Sequence, residues 1–284
     1  MQTARLAKFR RVLAAALGTS YYRPWLVVAS LDSREKIEAV GSWEEILPLF
    51  PPLEASRYLG SPEQFRGLLF GLRRPPALVH PLPGAPRIAA LLPGFRQSRR
   101  LRVFADGFGR KLARFRPQVL AGSPARLEQL AQALKRGALR MPPPTHALLV
   151  LVRPDEPLLT EEQRWRLWSL FRVPVFQELV GFDGQVIAWE CEAHCGLHLV
   201  EEAAIIEAAQ TGATHPLLLT SLTDTVHPLI RLATAWSAYL TQRLCGCGQK
   251  GQRMLPASDG VRQSSPEQGR GETAARLAMK AVVC

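Results

Sequence analysis

The sequence predicts an α/β fold in which mixed sheets are flanked by helices. Three observations predict it. Beyond residue 100, apolar runs of strand length alternate with capped or amphipathic helical stretches. Strands separated by helices imply a mainly parallel or mixed sheet with helices packed on its faces. Finally, 284 residues at 47% hydrophobic composition can bury a sizeable core and do not describe a mostly disordered chain.

The elements follow in order. Residues 3–17 fit a helix carrying Leu6, Phe9, Leu13 and Leu17 on one side. A basic start followed by an Ala/Leu run resembles a secretory signal superficially. The run is short and no cleavage context follows, so an amphipathic first helix and a cytoplasmic location are expected. Residues 43–58 suggest a helix built on Trp43, Ile46, Leu47 and Phe50 and ended by Pro51-Pro52. Recurring Pro and Gly from Arg73 to Pro93 mark loops, with one short strand at 87–92. Val119–Ala121 reads as a buried strand. Ser123-Pro124 then caps a helix to about residue 134 or 138. His146–Val152 is a continuous apolar strand, and Thr160-Glu-Glu-Gln opens a helix through Phe171 with a capping box. Residues 173–176, 186–189, 217–221 and 229–232 read as four further strands. From about 257 to 272 the chain is polar and rich in Ser, Gly and Gln, which suggests a disordered tail with a short helix near 273–281.

Charge is the next constraint. Lys and Arg total 36 against 24 Asp and Glu, a net charge of +12, which invites a nucleic-acid reading. Eight bases against one acid, Asp106, lie between Arg96 and Arg116, with Phe95, Phe104, Phe108 and Phe115 interleaved. Such a stripe can track phosphates. The 4, 4, 3 spacing of Phe104, Phe108, Leu112 and Phe115 favours instead an amphipathic helix with a solvated arginine face, so nucleic acid is not the expected partner. No apolar run approaches the roughly 18 residues of a membrane-spanning helix. His215 and His227 lie beside apolar runs and prolines, as structural histidines do. Ser221, Asp224 and His227 are triad residue types crowded on one strand and turn, with no nucleophile elbow before them.

Five cysteines occur, four of them in two tight groups, Cys191/Cys195 and Cys245/Cys247; Cys284 ends the chain. Clustered cysteines in a large chain point to metal or free thiols more than to disulfides. Cys191, His198, Cys245 and Cys247 form a plausible four-ligand set for zinc, which prefers thiolate and imidazole in a tetrahedron. Cys-x-Cys is less diagnostic than Cys-x-x-Cys, and His194 and Cys195 compete as ligands. Glu190, before Cys191, is placed to orient a zinc ligand or a helix N-terminus.

Several segments together resemble the phenylacetate–CoA ligase branch of the adenylate-forming, AMP-forming acyl-CoA ligase superfamily. They are the run from Phe115-Arg-Pro through Gly122-Ser-Pro, the stretch Asp155-Glu-Pro-Leu-Leu-Thr, and Val173-Pro-Val-Phe-Gln-Glu-Leu-Val-Gly. Ile187-Ala-Trp-Glu-Cys with Gly196-Leu-His, the run Leu218 to Arg231, and Cys245-Gly-Cys-Gly complete the pattern. The similarity covers roughly residues 5–255, so residues 1–255 are expected to form one ligase-like domain and 256–284 the tail. It implies the scaffold of the family's large N-terminal domain without the C-terminal lid. It also implies a structural zinc on the same four residues.

The resemblance implies as well which catalytic parts are missing. Residues 60–118 hold no Ser/Thr/Gly-rich phosphate loop. The family's magnesium-binding glutamate falls on Gly184, beside Asp183, and its ribose-binding aspartate falls on Trp236. Lys280, in the tail, has no defensible match to the catalytic lysine. Positioned charge is the main catalytic contribution in phosphoryl and adenylyl chemistry. ATP, magnesium and coenzyme A binding are therefore expected to be lost, and no catalytic residue is assigned. The expected role is a binding or accessory protein for an acyl or aryl carboxylate or a protein partner. Two alternatives stand beside it: an active ligase borrowing parts from another chain, and a basic zinc-containing nucleic-acid-binding protein.

Overall fold

The computed structural model describes residues 2–67, 75–78, 80, 82–208 and 216–257. The proposed tail beyond 257, His215, Lys280 and Cys284 lie outside the described residues.

Four helices come first: α1 (Gln2–Ala16), α2 (Arg23–Val28), α3 (Arg34–Glu38) and α4 (Trp43–Ile46). A 3-10 turn at Leu47–Leu49 follows, then β1 (Leu53–Glu54) and α5 (Ala55–Gly60). The short helix expected ahead of Pro51-Pro52 forms as α4 and the 3-10 turn. Pro51-Pro52 end it as proposed, but the chain then pairs with the sheet before turning helical again. Next come β2 (Ile88–Ala90), β3 (Leu101–Val103) and α6 (Arg110–Phe115). The single helix expected through Phe104, Phe108, Leu112 and Phe115 does not form. Gly107, at φ +144°, and the extended Gly109 interrupt it, so only residues 110–115 are helical.

From there the α/β reading holds closely. β4 (Val119–Gly122) leads into α7 (Pro124–Lys135), whose start is capped by the Ser123 hydroxyl. β5 (Ala147–Val152) leads into α8 (Glu161–Phe171), where Thr160 and Gln163 form the expected reciprocal capping box. β6 (Val175–Val180), β7 (Val186–Glu190), β8 (Leu197–Leu199), β9 (Ala204–Ala208), β10 (Pro216–Ser221), β11 (Leu232–Thr241) and β12 (Arg253–Pro256) complete the set. The strand expected at 229–232 begins only at Leu232. Arg231 takes a left-handed backbone, φ +52°, which ends the preceding loop and aims β11 away from it.

The twelve strands of the described residues join one mixed sheet in the order β3-β2-β4-β5-β6-β7-β8-β12-β11-β10-β9, with β1 added beside β11. The β3 to β6 half is parallel and the remainder of that path antiparallel. β5 explains its unbroken apolar sequence: Leu148, Val150 and Val152 enter the core with α1, α7 and α8, while Ala147, Leu149 and Leu151 enter a second core with Phe95, Phe176 and Val180. A strand covered on both faces needs no polar alternation. No helix among the described residues is long and apolar enough to cross a membrane.

Candidate metal centre and the adjoining cleft

The antiparallel half brings the cysteine groups together. Cys191 follows the last residue of β7, and His198 lies on β8 opposite Trp189. Cys245 and Cys247 lie between β11 and β12, and β12 pairs with β8. Two tight turns present the thiols: the His194 amide donates to the Cys191 carbonyl (2.9 Å) and the Gly248 amide to the Cys245 carbonyl (2.9 Å). Gly196 permits the close approach of the two strands. At φ +92°, a side chain there would strike the Met254 carbonyl and meet Leu255 Cδ2 at 2.8 Å.

One ligand atom from each of Cys191, His198, Cys245 and Cys247 lies within 4.8 Å of the others. The sulfurs of Cys191 and Cys245 are 3.6 Å apart, and Cys247 Sγ is 3.4 Å from His198 Nε2. A tetrahedral zinc ion has sulfur–sulfur and sulfur–nitrogen edges of about 3.8 and 3.6 Å, from its usual bond lengths. The donor set and its spacing therefore fit a metal ion. Cys191, His198 and Cys245 are buried, and Cys247 faces the surface.

Burial pushes the Cys191 thiol up to about 11. Burial also opposes a thiolate at Cys245, but hydrogen bonds from Cys247 and Cys191 and the Arg253 charge outweigh it, and its pKa lies below the ordinary thiol value. Burial, with the Arg253 charge, lowers the His198 pKa, which favours the neutral imidazole that a metal ion needs. Its ring stacks on Trp189 at 4.9 Å.

The neighbours proposed as competitors or helpers are engaged elsewhere. His194 Nδ1 meets Glu190 Oε1 at 2.8 Å, and its ring stacks on Phe176. Glu190 does not orient His198. Its carboxylate accepts from the Gln177 amide (2.8 Å) and the Arg164 guanidinium (3.1 Å), tying β7 to β6 and α8. Hydrogen bonding and these charges outweigh the cost of its burial and hold its pKa below the usual carboxylate value. Sequence reasoning missed Arg253, whose buried guanidinium donates to the carbonyls of Cys195, Arg243 (3.0 Å) and Leu244 (3.4 Å). Its partners are backbone carbonyls, so no side-chain pattern in the sequence marks it.

The turn Gly181–Gly184 forms one wall of a second feature. A cleft of about 310 Å³ is lined there with Pro76, Leu92, Phe95, Arg153 and Val180. Gly184 carries no side chain toward it. Asp183 accepts from the Gln185 amide (3.1 Å) and the Thr223 hydroxyl (3.2 Å), one bond to each carboxylate oxygen. Trp236 is fully buried, and its indole donates to the Arg153 carbonyl (3.1 Å). Arg231 meets the Glu207 carboxylate on β9 at 3.5 Å. Ser221, Asp224 and His227 build a turn. Asp224 Oδ1 accepts from the Val226 and His227 amides, and Ser221 Oγ from those of Thr223 and Asp224.

No protein-family model matches the sequence, and no curated protein matches it. Solved structures share the fold. The chain is similar to 2-hydroxyisobutyryl-CoA ligase in an open conformation, in complex with 2-HIB-AMP and CoA: 14% identity, TM-score 0.62, with 89% of this chain and 68% of that one covered. For the same ligase in complex with 2-HIB-AMP and CoA in the thioesterification state, the identity is 14%, the TM-score 0.63 and the coverage 89% and 66%. The chain thus spans about two thirds of that ligase's length. The likeness shows that the chain shares the fold of the corresponding part of that ligase.

Proposed function

We propose that this chain is a phenylacetate–CoA ligase-like protein that holds a structural zinc ion and binds a small acyl or aryl carboxylate without activating it. The observation that carries the zinc reading is the convergence of Cys191, His198, Cys245 and Cys247 at tetrahedral spacings. Four protein ligands leave no open position for a metal-bound water, so the ion would brace the two cysteine turns and the β7–β8–β12 strands.

The cleft beside Gly181–Gly184 is the place for the carboxylate ligand. Its volume lies at the lower end of the usual range for small-molecule sites, and apolar side chains line most of it. Two features support the loss of activation. Gly184 offers no oxygen where the resemblance expects a magnesium ligand. Trp236 fills the expected ribose-carboxylate position with a buried indole already bonded to Arg153. Without these carboxylates the site lacks the groups that the resemblance expects to hold magnesium and the ribose there.

An active carboxylate–CoA ligase is the second reading, favoured by the overall fold match to a ligase seen with 2-HIB-AMP and CoA. Thermal-shift measurements over a panel of short acyl and aryl acids, with and without millimolar ATP-magnesium, separate the two. A carboxylate shift of the same size with and without ATP-magnesium is expected, together with background ATP–pyrophosphate exchange. Exchange above background would overturn the non-activating reading.

A further inference from the structure

The interruption of the expected helix by Gly107 and Gly109 has a structural result. The chain from Arg99 to Phe115 folds as strand, bend and short helix around a concavity of about 1070 Å³. Arg87, Arg99, Arg102, Arg110, Lys111 and Arg114 line it, and Asp106 is the one acid in the lining. All six basic side chains are exposed. Among the described residues none of the six meets a carboxylate. Arg87 donates to the Arg116 carbonyl (2.9 Å), and Arg102 lies over the Phe115 ring at 5.4 Å.

Six cations around one concavity repel each other and focus a positive field into it. Neutralising that field with an anion is favourable and lowers the repulsion. We propose that this concavity is a binding site for a phosphate-chain anion, a run of two or more linked phosphates, separate from the cleft at Gly181–Gly184. The two share no lining residue.

Arginine suits this role because its planar, always-charged fork matches phosphate oxygens. A nucleic-acid strand is the weaker fit. Base stacking needs free ring faces. Phe104, Phe108 and Phe115 are half-buried against the core, Arg102 covers Phe115, and Arg126 covers Phe108 at 4.8 Å. The site thus offers guanidinium and ammonium groups to phosphates but few ring faces to bases.

Isothermal titration of the full chain tests the proposal, with inorganic tripolyphosphate, a magnesium-free nucleoside triphosphate and a 20-nucleotide single strand as probes. Tripolyphosphate is expected to bind at 50 mM salt and to weaken about tenfold or more by 300 mM, as screening dictates. Combining Arg99→Ala, Arg110→Ala and Arg114→Ala should weaken it at least about tenfold again. The charge-matched control Lys135→Ala, Arg136→Ala, Arg140→Ala on the α7 side should change it less than about twofold; all six of these side chains are exposed, so both variants should fold. Equal binding of tripolyphosphate and the nucleotide would identify the phosphate chain as sufficient, and tighter nucleotide binding lost in the groove variant would identify a nucleotide source. The proposal is overturned if tripolyphosphate fails to bind at 50 mM salt. Equal weakening by both variants overturns it too, as does binding of the single strand alone.

Discussion

Arg253 stands directly across the β8–β12 ladder from His198, and its guanidinium spans the two turns that carry the cysteines. It bonds the Cys195 carbonyl on one side and the Arg243 and Leu244 carbonyls on the other. Three thiolates and a neutral imidazole around a divalent ion carry a net charge of −1, and a buried arginine at this place offsets it.

The first prediction follows from that geometry. Arg253→Met removes both the clip and the charge, and chelator competition should show zinc affinity falling by about 10–100-fold, the usual cost of losing an outer-shell partner. Arg253→Lys keeps the charge but not the fork. If the clip matters, the lysine variant should also lose affinity. Wild-type affinity in the lysine variant would reduce the role of Arg253 to charge alone.

The second prediction concerns the ligands. Protein purified without a histidine tag should carry about one equivalent of zinc. Cys247→Ser and His198→Ala should each fall below half an equivalent, because a tetrahedral site loses one of its four donors. His194→Ala should retain the metal, since its imidazole serves Glu190. Elemental analysis of the three variants decides this, and loss of zinc in His194→Ala would mean a different ligand set.

Much of this centre was legible in the sequence because its ligands stand out chemically. Cys191, His198, Cys245 and Cys247 are rare residue types, and the glycines beside them signal tight turns. Their meeting depends on pairing between β8 and β12, which no local pattern specifies. The three-residue β8 carries too few positions for alternation to register. α7 and α8 were legible because Ser123-Pro124 and the Thr160/Gln163 pair act within one turn. The Phe104–Phe115 helix misled for the opposite reason. Apolar spacing there was helical, but Gly107 and Gly109 favoured other backbone conformations and prevailed. Arg253 was invisible because its partners are backbone carbonyls, which leave no mark in side-chain sequence.

A third prediction separates packing from ligand binding at Trp236. If this position belongs to the core, Trp236→Phe should cost about 1–3 kcal/mol in urea unfolding, since the Arg153 carbonyl loses its donor. Trp236→Asp, which restores the carboxylate that the resemblance expects, should cost more than about 3 kcal/mol. It should produce no nucleotide-dependent stabilisation beyond that of the parent. A Trp236→Asp protein as stable as the parent would show that the position tolerates solvent and can serve as a site.

The fourth prediction is a pH dependence set by Glu178. This β6 residue is fully buried between Leu151 and Trp189 on the neighbouring strands, and neither carboxylate oxygen has a hydrogen-bond partner. Burial raises its pKa well above the ordinary carboxylate value. The folded protein therefore binds a proton that the unfolded chain has released. Its stability is unaffected by this group below the unfolded pKa and falls as pH rises from there toward the folded pKa. Glu178→Gln keeps the shape and cannot ionise. Relative to this variant, the parent should lose up to about 1.4 kcal/mol per pH unit above roughly pH 4.5. The amide itself shifts the two stabilities by a constant amount, so the slope between them is the readout. Parallel stability curves from pH 4.5 to 8 would show that the Glu178 carboxyl ionises in the folded protein at its ordinary value.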